Sequence, residues 1–215
     1  DYPSLNYPVI SRSFNHEIIP VDEHVEDNIS KTIEDKNIDV LVLSIVQYIS
    51  GLKIDLESIK SLKMQYPDLI VIGDSTQYLG TEPFDFLASG FDVVAGSGYK
   101  WLMSGFGNAY VMLSDDLKRI LYKDAQAGPR PVEAMWSTKS ILDSFFEPGH
   151  QDTLSQGTLL QTVHFLSEIG LENVKCHIDE LVNHAYEAFE KRNLLLPEIA
   201  SRRIRSALIN VQLPF

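Results

Sequence analysis

Short apolar runs that alternate with amphipathic stretches are the feature that most limits what this chain can fold into. The runs with the length and composition of buried strands are residues 40–44, 69–74, 93–95 and 108–113. Residues 25–36 and 56–65 instead carry apolar side chains at helical spacing. Because strands separated by helices are typical of βαβ units, the sequence predicts an α/β fold with a mostly parallel sheet.

The pattern changes in the last third of the chain. Residues 154–169 and 171–191 predict two long helices, with Gly170 as the C-cap between them. Pro197 is predicted to end this helical region, and residues 206–213 alternate apolar and polar side chains like the first strand of a further unit. We therefore expect a large domain over residues 1–150, followed over residues 151–215 by connecting helices and the start of a small C-terminal domain.

Composition excludes several classes of protein. With 44% hydrophobic and 22% charged residues among 215, the chain can bury a substantial core. Its formal net charge of -12 argues against a nucleic-acid partner, because backbone phosphates are bound through an excess of Lys and Arg. No apolar stretch is long enough to span a membrane and the first residues do not resemble a signal peptide, so we predict a cytoplasmic protein without a membrane partner.

A single cysteine limits the chemistry further. Cys176 excludes a disulfide within the chain and any metal site built from several cysteines, and we predict no metal site. It lies in a helical pattern, where it is expected to fill the core rather than to act as a nucleophile.

Two reactive side chains follow predicted strands. Asp74 closes the run at 69–74, where the carboxyl end of a parallel strand can present it to a ligand; an ordinary turn aspartate is the alternative. Lys100 follows the run at 93–95 within the sequence SGYKWL and is either a surface lysine or an amine at the same sheet edge. An imine-forming amine and a carboxylate partner for a pyridinium nitrogen together predict pyridoxal phosphate as the cofactor.

Polar residues near this pair fit the same cofactor. Gln77 can donate to the phenolic oxygen, although an exposed loop amide is the alternative. Ser97 and Tyr99 flank Lys100 with hydroxyls that suit a phosphate, or that satisfy their own backbone. The following MSGFGNAY is neither a P-loop nor a dinucleotide fingerprint, and it is predicted to allow a turn and close packing behind the lysine.

Residues 70–113 carry a family resemblance through a D-x-x-Q element, then SGYKWL, then a glycine-rich turn. They resemble the class V aminotransferase-like group of fold type I pyridoxal phosphate enzymes, which includes cysteine desulfurases, kynureninases and transaminases. The resemblance implies a three-layer α/β sandwich with a mostly parallel sheet. It also implies Asp74 on the pyridinium nitrogen, Gln77 on the phenolic oxygen, Lys100 as the Schiff-base lysine, and Ser97 with Tyr99 on the phosphate.

Three further segments extend the resemblance. DYPS is similar to an element whose aromatic residue stacks on the pyridine ring, which makes Tyr2 the stacking residue; a frayed terminus is the alternative. VLSIVQYISG, with Gln47 and Tyr48, is closest to the kynureninase form. FFEPGHQDT places His150 where the group has a threonine that reaches the phosphate of the neighbouring subunit, unless it is simply a loop histidine. The resemblance therefore implies a homodimer with the site near the subunit interface.

The implied activity is that of a transferase or lyase acting on an amino acid or amine, either a transaminase, a desulfurase or a C–C or C–S lyase. The resemblance also implies that the sequence covers the large domain without its first segment and without most of the small domain. Arg202, Arg203 and Arg205 precede the region that supplies a carboxylate-binding arginine and are expected to be solvated.

Two other readings of the sequence stay open. One is a catalytically inactive module that keeps the fold and serves in binding or structure. The other is a nucleotide-binding α/β protein in which the glycine-rich turn meets phosphate, although the chain lacks the GK[ST] ending of a P-loop.

Overall fold

The computed structural model describes residues 2–127, residue 146 and residues 152–213. Within these residues four strands form one sheet, and they lie side by side in the order in which they occur in the chain. They are β1 (Val40–Ser44), β2 (Ile70–Asp74), β3 (Val93–Ser97) and β4 (Ala109–Leu113). The first three are parallel and β4 pairs antiparallel with β3. The predicted α/β fold with a mostly parallel sheet is confirmed, and each predicted strand overlaps an observed one.

Seven helices accompany the sheet in the described part of the chain. They are α1 (Pro3–Ser11), α2 (Val25–Lys36), α3 (Leu56–Gln65), α4 (Asp115–Ala127), α5 (Thr153–Ile169), α6 (Leu171–Glu190) and α7 (Pro197–Ala200). Helices α2 and α3 have the predicted bounds. Helix α1 was not predicted. None of its residues is buried, so it lacks the apolar stripe by which a packed helix is recognised in a sequence. Pro197 opens α7 instead of ending the helical region, since proline is well tolerated in the first turn of a helix.

One hydrophobic cluster holds the sheet and the helices together. On α2 the buried residues Val25, Ile29 and Ile33 recur at every fourth position and therefore form one stripe. The same cluster contains Val71 of β2, which is fully buried, and Val182 of α6. Helices from both ends of the chain thus share one core, while the division into two domains near residue 150 stays a prediction. None of the described helices is both long and apolar enough to cross a bilayer.

The position of Cys176 differs from the expectation. Its side chain is exposed on α6, whereas Ile178 packs against the core. Positions two residues apart on a helix point about 200° apart, so the face that buries Ile178 turns Cys176 toward solvent.

A buried carboxylate ties the strands to one another at their amino ends. Asp92 lies just before β3 and is 6% exposed. Its Oδ2 atom accepts hydrogen bonds from Lys63 Nζ at 2.7 Å and from the Val71 backbone N–H at 2.9 Å. Its Oδ1 atom accepts from the hydroxyl of Ser114, which follows β4, at 3.2 Å. One side chain therefore links α3, β2, β3 and the end of β4, and Lys63 supplies the charge that a buried carboxylate requires.

A second, partly buried ion pair joins two segments that are far apart in the sequence. Arg202 donates from Nη1 to Glu26 Oε2 at 3.0 Å and from Nη2 to Glu26 Oε1 at 2.5 Å, and Nη2 also donates to the Lys53 carbonyl at 2.9 Å. The side chains of Arg202 and Glu26 are 10% and 17% exposed. Although burial acts to raise the pKa of Glu26, the bonds from Arg202 and from the Asp55 N–H outweigh it, and the pKa is lowered.

The expectation that the three arginines near the C-terminus are solvated is therefore wrong for Arg202, because its guanidinium is paired inside the protein. Arg205 is partly buried as well, since Nη1 donates to Asn183 Oδ1 at 2.7 Å and the guanidinium lies 4.4 Å from the ring centre of Tyr186. Arg203 is exposed, as expected.

The strand predicted at residues 206–213 does not form. The segment makes one isolated bridge, between Val211 and Leu195. The hydroxyl of Ser206 instead donates to the Gly51 carbonyl at 2.7 Å, in the turn that follows β1. The prediction was wrong because alternation indicates that one face is buried but does not supply a neighbouring strand with which to pair.

Replacing Arg202 with alanine is expected to lower the free energy of unfolding by about 3 kcal/mol, because the Glu26 carboxylate would stay buried without its counter-charge. Arg203→Ala removes an exposed guanidinium from the adjacent position and should change the free energy by less than about 0.5 kcal/mol. Urea denaturation followed by circular dichroism measures both. Equal losses in the two variants would contradict the assigned role of the pair.

The pH dependence of this effect follows from the lowered pKa of Glu26. A carboxyl group whose pKa is depressed by folding stabilises the protein above its unfolded value, which is ordinarily 4.5, and this contribution is lost as the pH falls through the folded value. The difference between wild type and Arg202→Ala should therefore narrow when the same denaturation is repeated in acid.

Candidate functional site

The parallel strands end together at one edge of the sheet. Asp74, the last residue of β2, is in register with Ser44, the last residue of β1, and with Ala95 of β3. The Ile45 N–H donates to the Asp74 carbonyl at 2.9 Å and so continues the pairing one residue beyond β1. Segments that leave this edge therefore start side by side, which is where open α/β sheets place ligands.

The two carboxylate oxygens of Asp74 differ in their partners among the described residues. Its Oδ1 atom accepts a hydrogen bond from the Thr76 N–H at 2.9 Å, which is the turn geometry common after strands. No described residue donates to its Oδ2 atom, and the side chain is partly buried. The turn alternative therefore holds for Asp74 through its Oδ1 atom, and its contact with a ligand stays a prediction.

Thr76 joins the ends of β2 and β3. Its hydroxyl oxygen accepts a hydrogen bond from the Ser97 N–H at 3.2 Å. Ser97 and Gln77 are partly buried, and none of the described residues bonds to the Ser97 hydroxyl or to the Gln77 amide. Sequence reasoning missed Thr76, although a hydroxyl residue inside the D-x-x-Q element is the signal that could have revealed it.

Lys100 lies in the turn that leaves β3 and is partly buried. Its Nζ atom is 5.8 Å from the ring centre of Tyr99 and has no carboxylate or other acceptor among the described residues. Tyr99 is 41% exposed, and its ring stacks on Phe106 with centroids 5.4 Å apart. The turn therefore presents an amine and a phenol that the described part of the protein does not use.

Hydrogen bonds to the first turns of α5 stabilise the turn that carries Lys100. The hydroxyl of Ser104 donates to Asn108 Oδ1 at 2.6 Å, and Asn108 Nδ2 donates to the Ser155 carbonyl at 3.2 Å, at the start of α5. The Thr158 hydroxyl, also on α5, donates to the Ser104 carbonyl at 2.8 Å. Gly105 and Gly107 have φ angles of 74° and 88°, so the predicted role of the glycine-rich segment in a tight turn is confirmed.

In the segment after β1, the Gln47 side chain accepts hydrogen bonds from the backbone of its own turn. Gln47 is 8% exposed, and its Oε1 atom accepts from the N–H groups of Ile49 and Ser50, each at 2.7 Å. The neighbouring Tyr48 ring meets the ring of Tyr2 edge-on at 5.1 Å. Tyr2 immediately precedes α1. Its contact with Tyr48 places it beside the turn that follows β1.

The structure thus brings most of the sequence-predicted site residues to one edge. Asp74 and Gln77 follow β2, and Ser97, Tyr99 and Lys100 lie at or beyond the end of β3. Tyr2 reaches the neighbouring turn through Tyr48, and His150 lies outside the described residues. No group of three or more His, Cys, Asp or Glu side chains in the described ranges could hold a metal ion.

The protein has an α/β fold. Polar side-chain atoms without hydrogen-bond partners among the described residues lie at the carboxyl ends of its parallel strands. The family model for aminotransferase class V matches residues 14–214. Because this match covers most of the chain, the protein belongs to the class V aminotransferase family, whose members generally depend on pyridoxal phosphate. Comparison with curated proteins gave no significant match.

Solved structures share the fold. A cysteine desulfurase from Thermococcus onnurineus NA1 has a TM-score of 0.76 at 15% identity, over 97% of this chain and 53% of that one. A NifS-like protein from Rickettsia africae has 0.69 at 18% identity, over 96% and 54%. An alanine–glyoxylate aminotransferase from Nostoc has 0.67 at 18% identity, over 87% and 50%. The chain spans about half the length of these structures.

A methyl group at Gly98 is expected to disrupt the turn before Lys100. A Cβ atom built there would overlap Asn108 Oδ1 and Ser104 Oγ, so Gly98→Ala should cost about 2 kcal/mol of unfolding free energy. In Gly157→Ala the added Cβ meets nothing within 4 Å, and this change within α5 should stabilise the protein by about 0.5–1 kcal/mol. Urea denaturation measures both changes. A neutral Gly98→Ala would show that the turn is not packed as described.

Proposed function

We propose that this chain is the cofactor-binding part of a pyridoxal-phosphate-dependent enzyme that acts on an amino acid or amine, with Lys100 as the residue that binds the cofactor covalently. The observation that carries the proposal is the partly buried Lys100 amine, which has no acceptor among the described residues and lies beyond the strand paired with the one that ends in Asp74. In a family of this kind, a ligand best explains a partly buried lysine that has no hydrogen-bond acceptor among the described residues.

The residues at the edge fit the functional groups of that cofactor. An aldehyde requires an amine, a protonated pyridine nitrogen requires a carboxylate, and a phosphate requires several donors. Lys100, the Oδ2 atom of Asp74 and the hydroxyl of Ser97 have these properties and make no bonds to the described residues. The atoms without protein partners are therefore of the kinds that this cofactor would satisfy.

Each side chain has a distinct proposed task. Asp74 would accept a hydrogen bond from the protonated pyridine nitrogen, Gln77 would donate from its amide to the phenolic oxygen, and Ser97 and Tyr99 would donate from their hydroxyls to the phosphate. Tyr2 covers one face of the ring. When bound, pyridoxal phosphate supplies an aldehyde and an electron-withdrawing ring.

Lys100 would have a second task as a base. When its Nζ atom is not bonded to the cofactor, it would be placed to take a proton from the substrate's α carbon. Asp74 supports this step from a distance, since a carboxylate that keeps the ring nitrogen protonated makes that proton easier to remove.

Transamination, desulfuration and C–C or C–S cleavage are all compatible with these residues. Proteins with similar folds include aminotransferases and a cysteine desulfurase, which favours a reaction on a small amino acid. We further propose a homodimer in which His150 donates to the phosphate held by the neighbouring subunit.

Lys100→Ala is expected to abolish the visible absorbance that wild type develops with pyridoxal phosphate, because the covalent bond to the cofactor cannot form. Borohydride reduction of wild type, followed by peptide mass spectrometry, should place the reduced adduct on Lys100. Lys60→Ala, an exposed lysine of α3, should keep the absorbance. A wild-type protein that stays colourless would instead favour a module that keeps the fold without the cofactor.

Asp74→Asn is expected to leave the covalent adduct intact and to slow removal of the α proton by about 100-fold, because the amide does not hold the ring nitrogen protonated. The rate is measured as exchange of the α proton for deuterium by NMR, using whichever amino acids the wild type exchanges. An Asp74→Asn variant with the wild-type rate would remove Asp74 from the mechanism.

A further inference from the structure

A tyrosine crosses the sheet beneath the candidate site. Tyr110 belongs to β4 and is the antiparallel partner of Gly96 on β3. Its hydroxyl lies 2.9 Å from the hydroxyl of Ser75, which follows β2. The Tyr110 side chain therefore passes over β3 and joins the outermost described strand to the end of the strand that carries Asp74.

Gly96 makes this crossing possible. A Cβ atom at Gly96 would lie 2.5 Å from the Tyr110 hydroxyl oxygen and 3.0 Å from the Thr76 backbone nitrogen. The first distance is too short for a Cβ atom unless the tyrosine moves, and the second would also require a small shift of the Thr76 backbone. Gly96, the first glycine of the sequence GSGYK at residues 96–100, is thus required by the tyrosine that lies across it.

The direction of the hydrogen bonds can be assigned. The Ser75 hydroxyl donates to the Ala95 carbonyl at 3.1 Å, and the Ser75 N–H donates to the same carbonyl at 2.9 Å. A hydroxyl has a single proton to donate, so the bond to Tyr110 forms at the same time only when the tyrosine is the donor. Tyr110 must therefore be neutral, and Ser75 has no exposed surface from which water could replace it.

The electrostatic surroundings keep Tyr110 protonated. Burial raises the pKa of Tyr110 to about 12; the hydrogen bond with Ser75 opposes this rise, and the negative charge of Asp74 adds to it. The phenol consequently stays a donor across the physiological pH range. Its interaction with Asp74 also indicates that the two side chains are close enough to influence each other.

We propose that Tyr110 and Ser75 are positioning residues for the Asp74 carboxylate. The proposal rests on the proposed function, since it concerns the hold of Asp74 on the pyridine nitrogen. Ser75 lies between Asp74 and Thr76, and Thr76 binds both the Asp74 Oδ1 atom through its N–H and the Ser97 N–H through its hydroxyl oxygen. Fixing Ser75 against Ala95 and Tyr110 therefore fixes the backbone from which the carboxylate projects.

Tyr110→Phe and Ser75→Ala test the proposal in the full-length protein. Each is expected to weaken pyridoxal phosphate binding about fivefold, the usual effect of one neutral hydrogen bond. Tyr110→Phe should have no further effect when Ser75 is already alanine, because the two residues act through one bond. Tyr122→Phe, an exposed tyrosine of α4, is the matched control and should leave the dissociation constant unchanged.

A spectroscopic measurement separates positioning from simple support of the fold. The pH midpoint of the visible absorbance of the loaded protein should move upward in Tyr110→Phe. A looser Asp74 holds the pyridinium proton less well, which removes a positive charge that repels the proton on the Lys100 nitrogen. A variant that is less stable but has the wild-type midpoint and dissociation constant would overturn the proposal.

Amide hydrogen exchange without cofactor completes the test. In Tyr110→Phe the N–H groups of Thr76 and Ser97 should exchange faster, while that of Val71, which donates to Asp92 at the other end of β2, should keep its wild-type rate. Unchanged exchange at Thr76 and Ser97 overturns the positioning role, whatever the cofactor measurements give. A wild-type protein that does not bind pyridoxal phosphate overturns the proposed function, so the two failures are distinguishable.

Discussion

The buried carboxylate of Asp92 is the interaction on which the arrangement of the sheet depends. It accepts bonds from Lys63, from the Val71 N–H and from Ser114, and thereby fixes the amino ends of β2 and β3 relative to each other and to the end of β4. A shift of one residue in a strand would turn each of its side chains to the opposite face. By holding this register, Asp92 helps to place Asp74 at the other end of β2.

The local part of this architecture could be predicted from the sequence. Strand positions follow from apolar runs, and Asp74 and Lys100 stand out because each follows such a run within a short motif. The roles of Tyr110 and Asn108 could not be predicted, because they depend on bonds to Ser75 and Ser155, which are far away in the chain. No periodicity indicates that a tyrosine in a strand will lie across a glycine of its neighbour.

The same limit explains the errors. Arg202 looked like a surface residue because its partner, Glu26, belongs to the second helix. Residues 206–213 have the alternation of a strand, but they bind a turn through Ser206 instead of extending the sheet. In each case burial was decided by a remote segment, which single-sequence patterns do not report.

The distribution of satisfied and unsatisfied polar groups gives the candidate site its character. Ser75, Ser104 and Asn108 are buried and fully engaged in holding the backbone. Among the described residues, Lys100 Nζ has no hydrogen-bond acceptor and Asp74 Oδ2 has no donor. Buried hydrogen bonds thus support the backbone at this edge, whereas these two charged groups keep hydrogen-bonding capacity that the described residues do not use.

The pairing of Arg202 with Glu26 has a consequence for how the protein is made. The two residues are 176 positions apart, so a ribosome must synthesise every residue between them before the bond can form. Until then α2 lacks the contact that secures its first turn, and the growing chain stays open to chaperones and proteases. Synthesis of the segment that carries Arg202 thus controls when α2 becomes secure.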